Sequence, residues 1–159
     1  MKKIVLILLT ITSIALFSMC KKKKLNNSLY DESIASGLSF YKNKDTIYSA
    51  KGSSPHGNFK LKFNAEAVKN LDASGKLPVG GTFTDGSLIV KEVYSGSSIS
   101  LYAIMKKDSK SKFAKNGWVW AEFEPDGKVY YSVGKKGKDC ISCHSSGNPR
   151  DLMLSFDLH

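Results

Sequence analysis

The stretch WVWAEFEPDGKVYYSVG, residues 118–134, decides the fold. Its first six residues alternate, with Trp118 and Trp120 on one side of an extended chain and Val119, Ala121 and Phe123 on the other. That period of two belongs to a β-strand. Asp126–Gly127 is the strongest hairpin signal in the chain and leads into a second strand, KVYYSVG. Upstream, SISLYAIMKK at 98–107 is β-rich, and TDGSLIVKEVYSG at 84–96 runs through Leu88, Ile89 and Val90 and then alternates to Val93. Earlier still, NFKLKFN at 58–64 sets Phe59, Leu61 and Phe63 against Asn58, Lys60, Lys62 and Asn64, a half-buried strand. Together they predict one antiparallel sheet of about four or five strands. AEAVKNLDASGK, at 65–76, has Ala67, Val68 and Leu71 at helical spacing, with Gly75 as a helix stop. KGSSPH at 51–56 reads as a loop, and one short helix is expected around Asp31 to Tyr41. The class is α+β.

The N-terminus reads as an export signal over residues 1–19. Lys2 and Lys3 precede an uncharged apolar run, Ile4–Phe17, which is too short to span a bilayer as a helix. Cys20 follows directly. Cleavage before it and acylation of its thiol would make a lipoprotein, although Met19 stands where a small residue is usual; the other reading is an ordinary signal peptide with an incidental cysteine. Of the 24 basic side chains only Lys2 and Lys3 leave with the signal, and no acid does, so 22 bases and 14 acids remain and the net charge is +8. Lys21 to Lys24 begin a basic tether over residues 20–45. Beside a lipid anchor such a run favours anionic head groups by roughly 1 kcal/mol per lysine; alone it is a solvated leash. The expected location is the envelope, anchored to a membrane and facing the periplasm or the cell surface. Nucleic acid is a poor partner, because the chain is exported and has a single arginine, Arg150.

CISCH, residues 140–144, has the spacing C-x-x-C-H. Two thiols at that spacing add across the two vinyl groups of a haem, and the following histidine binds the iron. A structural disulfide is disfavoured because so tight a loop is a poor staple. A redox C-x-x-C expects a βαβ setting, and a closed zinc site wants four ligands where no second cysteine pair exists. The expected cofactor is therefore one covalent haem c, held by Cys140, Cys143 and His144, with His144 on the iron. The motif lies near the C-terminus of a strand-rich chain, unlike that of small helical electron-transfer cytochromes.

Four stretches, in order, resemble the cytochrome P-460 family, which includes the cytochrome c′-beta proteins: SPHGNF at 54–59 with Asn64–Ala65, GGTFTDGSLIVKEVY at 80–94, NGWVWAEFEPDG at 116–127 and CISCHSSGNPRDLMLSF at 140–156. The resemblance covers roughly residues 50–157, within a haem domain read as 46–159. It implies an antiparallel sheet with a few helices, often a homodimer, and an iron held by the motif histidine with its sixth position open. It also places Lys91 at the lysine that in cytochrome P-460 is joined to the porphyrin edge; otherwise Lys91 is an ordinary strand lysine sharing a face with Ile89 and Val93. Asp139 is a candidate acid to take a proton from a bound ligand, or else a solvated loop residue. Phe59, Phe63, Phe83 and Phe123 are candidate apolar walls, and Trp118 and Trp120 are core or haem packing. His56 reads as a structural hydrogen-bonding residue.

The resemblance implies binding or oxidation of small nitrogen ligands, nitric oxide or hydroxylamine, with a redox partner protein. The alternative is an electron-transfer cytochrome with six-coordinate iron, for which Met153, Met105 or His56 would supply the second ligand.

Overall fold

The computed structural model describes residues 19–51, 54–147 and 150–156. The apolar run of the expected signal peptide and the terminal His159 lie outside these. Among the described residues no helix is long and apolar enough to cross a membrane.

Six antiparallel strands follow one another as a meander: β1 (Ser39–Phe40), β2 (Asn58–Phe63), β3 (Leu88–Ser95), β4 (Ser98–Lys107), β5 (Trp118–Phe123) and β6 (Val129–Tyr131). The five longer ones are those expected; the two-residue β1 is new and pairs with the end of β2. β5 and β6 turn at Asp126–Gly127, with Gly127 at a φ of +86°, a value only glycine adopts without steric cost.

Side chains alternate across the sheet, so each face has its own core. One collects Leu88, Val90, Ile104, Val119, Ala121 and Phe123. A helix, α1, over residues 19–33 covers that face. Its inward positions Leu25, Asn26, Leu29 and Ser33 recur every three or four residues, one stripe of a helix. Leu29 is fully buried. Asn26 accepts from the Val133 N–H at 3.1 Å and donates to the Ser132 hydroxyl at 3.2 Å. The Tyr30 hydroxyl donates to the Pro125 carbonyl at 2.6 Å, and Lys106 bonds both Glu32 oxygens at 2.6 and 2.8 Å. The helix expected around Asp31 to Tyr41 therefore ends before most of that span. Its apolar signal is thin because two of its four inward residues are polar: Asn26 is satisfied by tertiary partners and Ser33 by the Tyr30 carbonyl one turn back.

The opposite face carries Phe59, Leu61, Phe63, Ile89, Met105, Trp118 and Trp120 and is closed by Tyr41, Leu77, Phe83, Met153 and Phe156. The Trp/Val alternation of β5 is as expected. Phe59, Phe63 and Phe83 lie on this side, but Phe123 packs under α1 and is no wall of the site. The helix read into residues 65–76 is a single turn, α2 (Ala65–Val68), capped by Asn64, whose side chain accepts from the Ala67 N–H at 2.9 Å. It stops early because the Asn70 amide turns back to donate to the Glu66 carbonyl at 2.8 Å, competing with continued helix.

Candidate functional site

The C-x-x-C-H segment forms one helical turn, α3 (Ile141–His144), entered through Cys140. Residues three and four apart share a face of a helix, so Cys140, Cys143 and His144 are brought together. Both thiols are free. Cys140 is half-buried, and that burial pushes its thiol up to about 11. A thiol pair poised for disulfide exchange has its pKa lowered instead. Among the described residues no group of three or more histidine, cysteine, aspartate or glutamate side chains could hold a bare metal ion.

His144 stands edge-on to Trp120, ring centroids 4.8 Å apart. Its Nδ1 lies 2.7 Å from the Leu152 carbonyl oxygen. A carbonyl can only accept, so Nδ1 carries the proton and Nε2 keeps its lone pair. Burial, the larger cause, with the nearby charges of Lys91 and His56, lowers the imidazole to about 4, while the Leu152 bond opposes this. His144 is thus a neutral imidazole with one nitrogen anchored and the other available.

Beside it a pocket opens between α3, the C-terminal segment and the sheet. Its walls include Leu61, Ile89, Met105, Trp120, Cys140 and Met153. Strand register places Leu61, Lys91, Ala103 and Glu122 side by side across β2 to β5, all facing this side. The Lys91 amine sits 4.2 Å from the centroid of the Phe59 ring and makes no hydrogen bond or ion pair among the described residues. Burial alone brings its pKa down to about 8. Glu122 is paired with His56, 3.0 Å from Oε1 to Nε2, as expected of a histidine with a structural bond. Trp120 is pressed against Gly137, where a Cβ would come within 2.3 Å of the indole. Its buried Nε1 has no hydrogen-bond partner among the described residues.

The structure therefore brings Lys91, Cys140, His144, His56, Met105 and Met153 to one cavity; Cys143 is exposed and is not among the lining residues. Asp139 is not brought there: its side chain is exposed, and its N–H donates to the Tyr131 hydroxyl at 3.3 Å. The acid lining the cavity is Glu122. Alternation could have found it, since it stands two residues from Trp120 and so shares the tryptophan face. The anchoring carbonyl of Leu152 has no signal in sequence. Two thiols, a neutral imidazole with a free nitrogen and an apolar wall form a donor set that fits haem c.

A family model described as Cytochrome P460 matches residues 39–155. A search of curated proteins finds none that matches the chain.

Proposed function

Since the chain belongs to the cytochrome P460 family, and so is a haem c cytochrome with iron, we propose that it binds or oxidises small nitrogen compounds, nitric oxide or hydroxylamine, at an open iron position. The observation that carries this is the Nδ1 bond of His144 to Leu152, which leaves Nε2 as a free ligand beside an apolar cavity. In this reading Cys140 and Cys143 would hold a single haem covalently and His144 would bind its iron. The haem supplies ligand binding and one-electron chemistry. Leu61, Ile89 and Trp120 exclude water. Glu122, oriented by His56, takes the proton that a bound hydroxylamine must lose on oxidation. Lys91, with an amine brought to about 8, has far more of its neutral, nucleophilic form at neutral pH than an exposed lysine. That would favour a bond from its Nζ to the porphyrin edge, a step that replaces one N–H and one C–H bond by the N–C bond and passes two electrons and two protons to a two-electron oxidant such as a peroxide. Electrons then pass to a redox partner protein. Export, acylation of Cys20 and attachment to a membrane by the lipid and Lys21 to Lys24 complete the reading.

The test is an optical spectrum of the purified ferrous protein together with a tryptic digest. A red-shifted ferrous band and a haem peptide joined to one containing Lys91 support the oxidase form. An ordinary c-type spectrum, with the haem on the Cys140–Cys143 peptide alone and nitric oxide bound, leaves the binding form. Met105 and Met153 also line the cavity, and a low-spin six-coordinate iron would instead favour electron transfer. Haem extracted by acid and acetone would end the covalent reading.

A further inference from the structure

We propose that Asp151 is a positioning residue for the axial histidine: it locks the turn whose next carbonyl, that of Leu152, holds His144. The inference rests on His144 being the iron ligand. Asp151 and Leu152 both have left-handed backbones, φ +52° and +68°. For a branched residue such as leucine that conformation persists only where its surroundings over-determine it.

Asp151 provides the constraint. Its carboxylate accepts from Lys107 Nζ at 2.8 Å on each oxygen, from Trp118 Nε1 at 3.1 Å on Oδ1 and from the Phe83 N–H at 2.9 Å on Oδ2. Both side chains of the ion pair are only 10% exposed. The donors come from β4, β5 and the loop before β3, so the turn is tied to the rigid sheet at three points. Gly117 makes room, since a Cβ there would stand 3.1 Å from Lys107 Nζ.

One residue on, the Leu152 carbonyl accepts from His144 Nδ1 at 2.7 Å. Such a bond fixes ring orientation and makes the other nitrogen a stronger donor. The Lys107–Asp151 pair is neutral as a unit, so it acts through position rather than through its field. Released, the turn relaxes toward ordinary φ, the carbonyl leaves Nδ1, and Nε2 donates less to iron.

The test uses the haem-loaded protein and reads the ferrous iron–imidazole stretching band and the midpoint potential. Asp151→Asn is expected to lower the band frequency and raise the potential. Lys107→Met should move both the same way by less, and decides the matter if Asp151→Asn does not accumulate as holoprotein. Val133→Ala, buried on the helix side, loosens the fold without touching the turn and should leave both in place. Unmoved values in Asp151→Asn and Lys107→Met, or equal movement in Val133→Ala, would overturn the inference while leaving the functional reading intact. A wild-type protein that carries no haem would overturn that reading, and this inference with it.

Discussion

On its helix side the sheet offers Leu88, Val90, Ile104, Val119, Ala121 and Phe123, and α1 covers them with Leu29 and the flanks of Leu25 and Tyr30. On its other side the same strands interleave Ile89, Met105 and Trp120 with Lys91, Lys107 and Glu122. The first face is closed by the chain itself, and its polar groups are paired: Asn26 with Ser132 and Val133, Glu92 with Lys62 and Lys106 with Glu32. The second holds three charged residues in a low-dielectric setting, each handled differently. Lys107 is matched by Asp151, and Glu122 by His56. Among the described residues Lys91 has no charged partner and meets the face of Phe59. Burying a charge without a partner lowers stability, so packing alone does not account for Lys91. The contrast teaches where the proposed site lies: on the face that leaves a buried charge unpaired among the described residues.

Four substitutions would break or sharpen that contrast. The largest effect is expected from Cys140→Ala with Cys143→Ala, which should abolish haem retention after denaturing extraction while far-UV circular dichroism keeps the sheet. Next, Leu29→Ala on the helix side should cost about 2–5 kcal/mol, the range for truncating a fully buried leucine, measured by urea unfolding. The haem spectrum should not change.

Smaller, and opposite in sign, is Lys91→Met in the protein lacking both haem cysteines. The folded pKa of Lys91 is lowered to about 8 from an ordinary 10.5, so between these values the unfolded chain binds more protons and stability rises with pH. The burial penalty is fully present below pH 8. Lys91→Met should therefore be more stable at pH 7 by up to about 3 kcal/mol, with the gain fading as pH climbs toward 10.5. A constant difference across that range would mean that the amine is not buried as a charge. The smallest effect belongs to Lys128→Ala, which removes an exposed pair with Glu124 spaced four residues apart. It should leave both the urea midpoint and the spectrum unchanged within experimental error.

What was legible followed from period and spacing. Strand alternation in 58–64, 84–107 and 118–131 set five strands and sorted most of their side chains onto the correct faces, and Asp126–Gly127 set a hairpin. C-x-x-C-H carried its own chemistry, because thiols and imidazole must stand three and four residues apart to reach one ring. Lys91 shares a face with Ile89, as the alternation of β3 requires. The miss at Phe123 was one of role rather than of parity: the alternation put it opposite the tryptophans, yet it was still counted as a wall of the site.

The remainder depended on contacts between elements. Asn26 reads as a surface residue until Ser132 and Val133 satisfy it, so α1 as a cover for the sheet is a tertiary fact. Glu122 displaced Asp139 as the cavity acid because proximity in space comes from strand register, while Asp139 is close to Cys140 only along the chain. The hold on His144 is still further from sequence. It depends on a main-chain oxygen, which every residue has, and on a left-handed turn that Lys107, Trp118 and Phe83 stabilise from other elements. The sequence by itself determined the strands, the hairpin and the C-x-x-C-H spacing, since these are written in residue type and short spacing. The tertiary structure decided which charges share the cavity and how the histidine is aimed, since those depend on contacts between residues far apart in the chain.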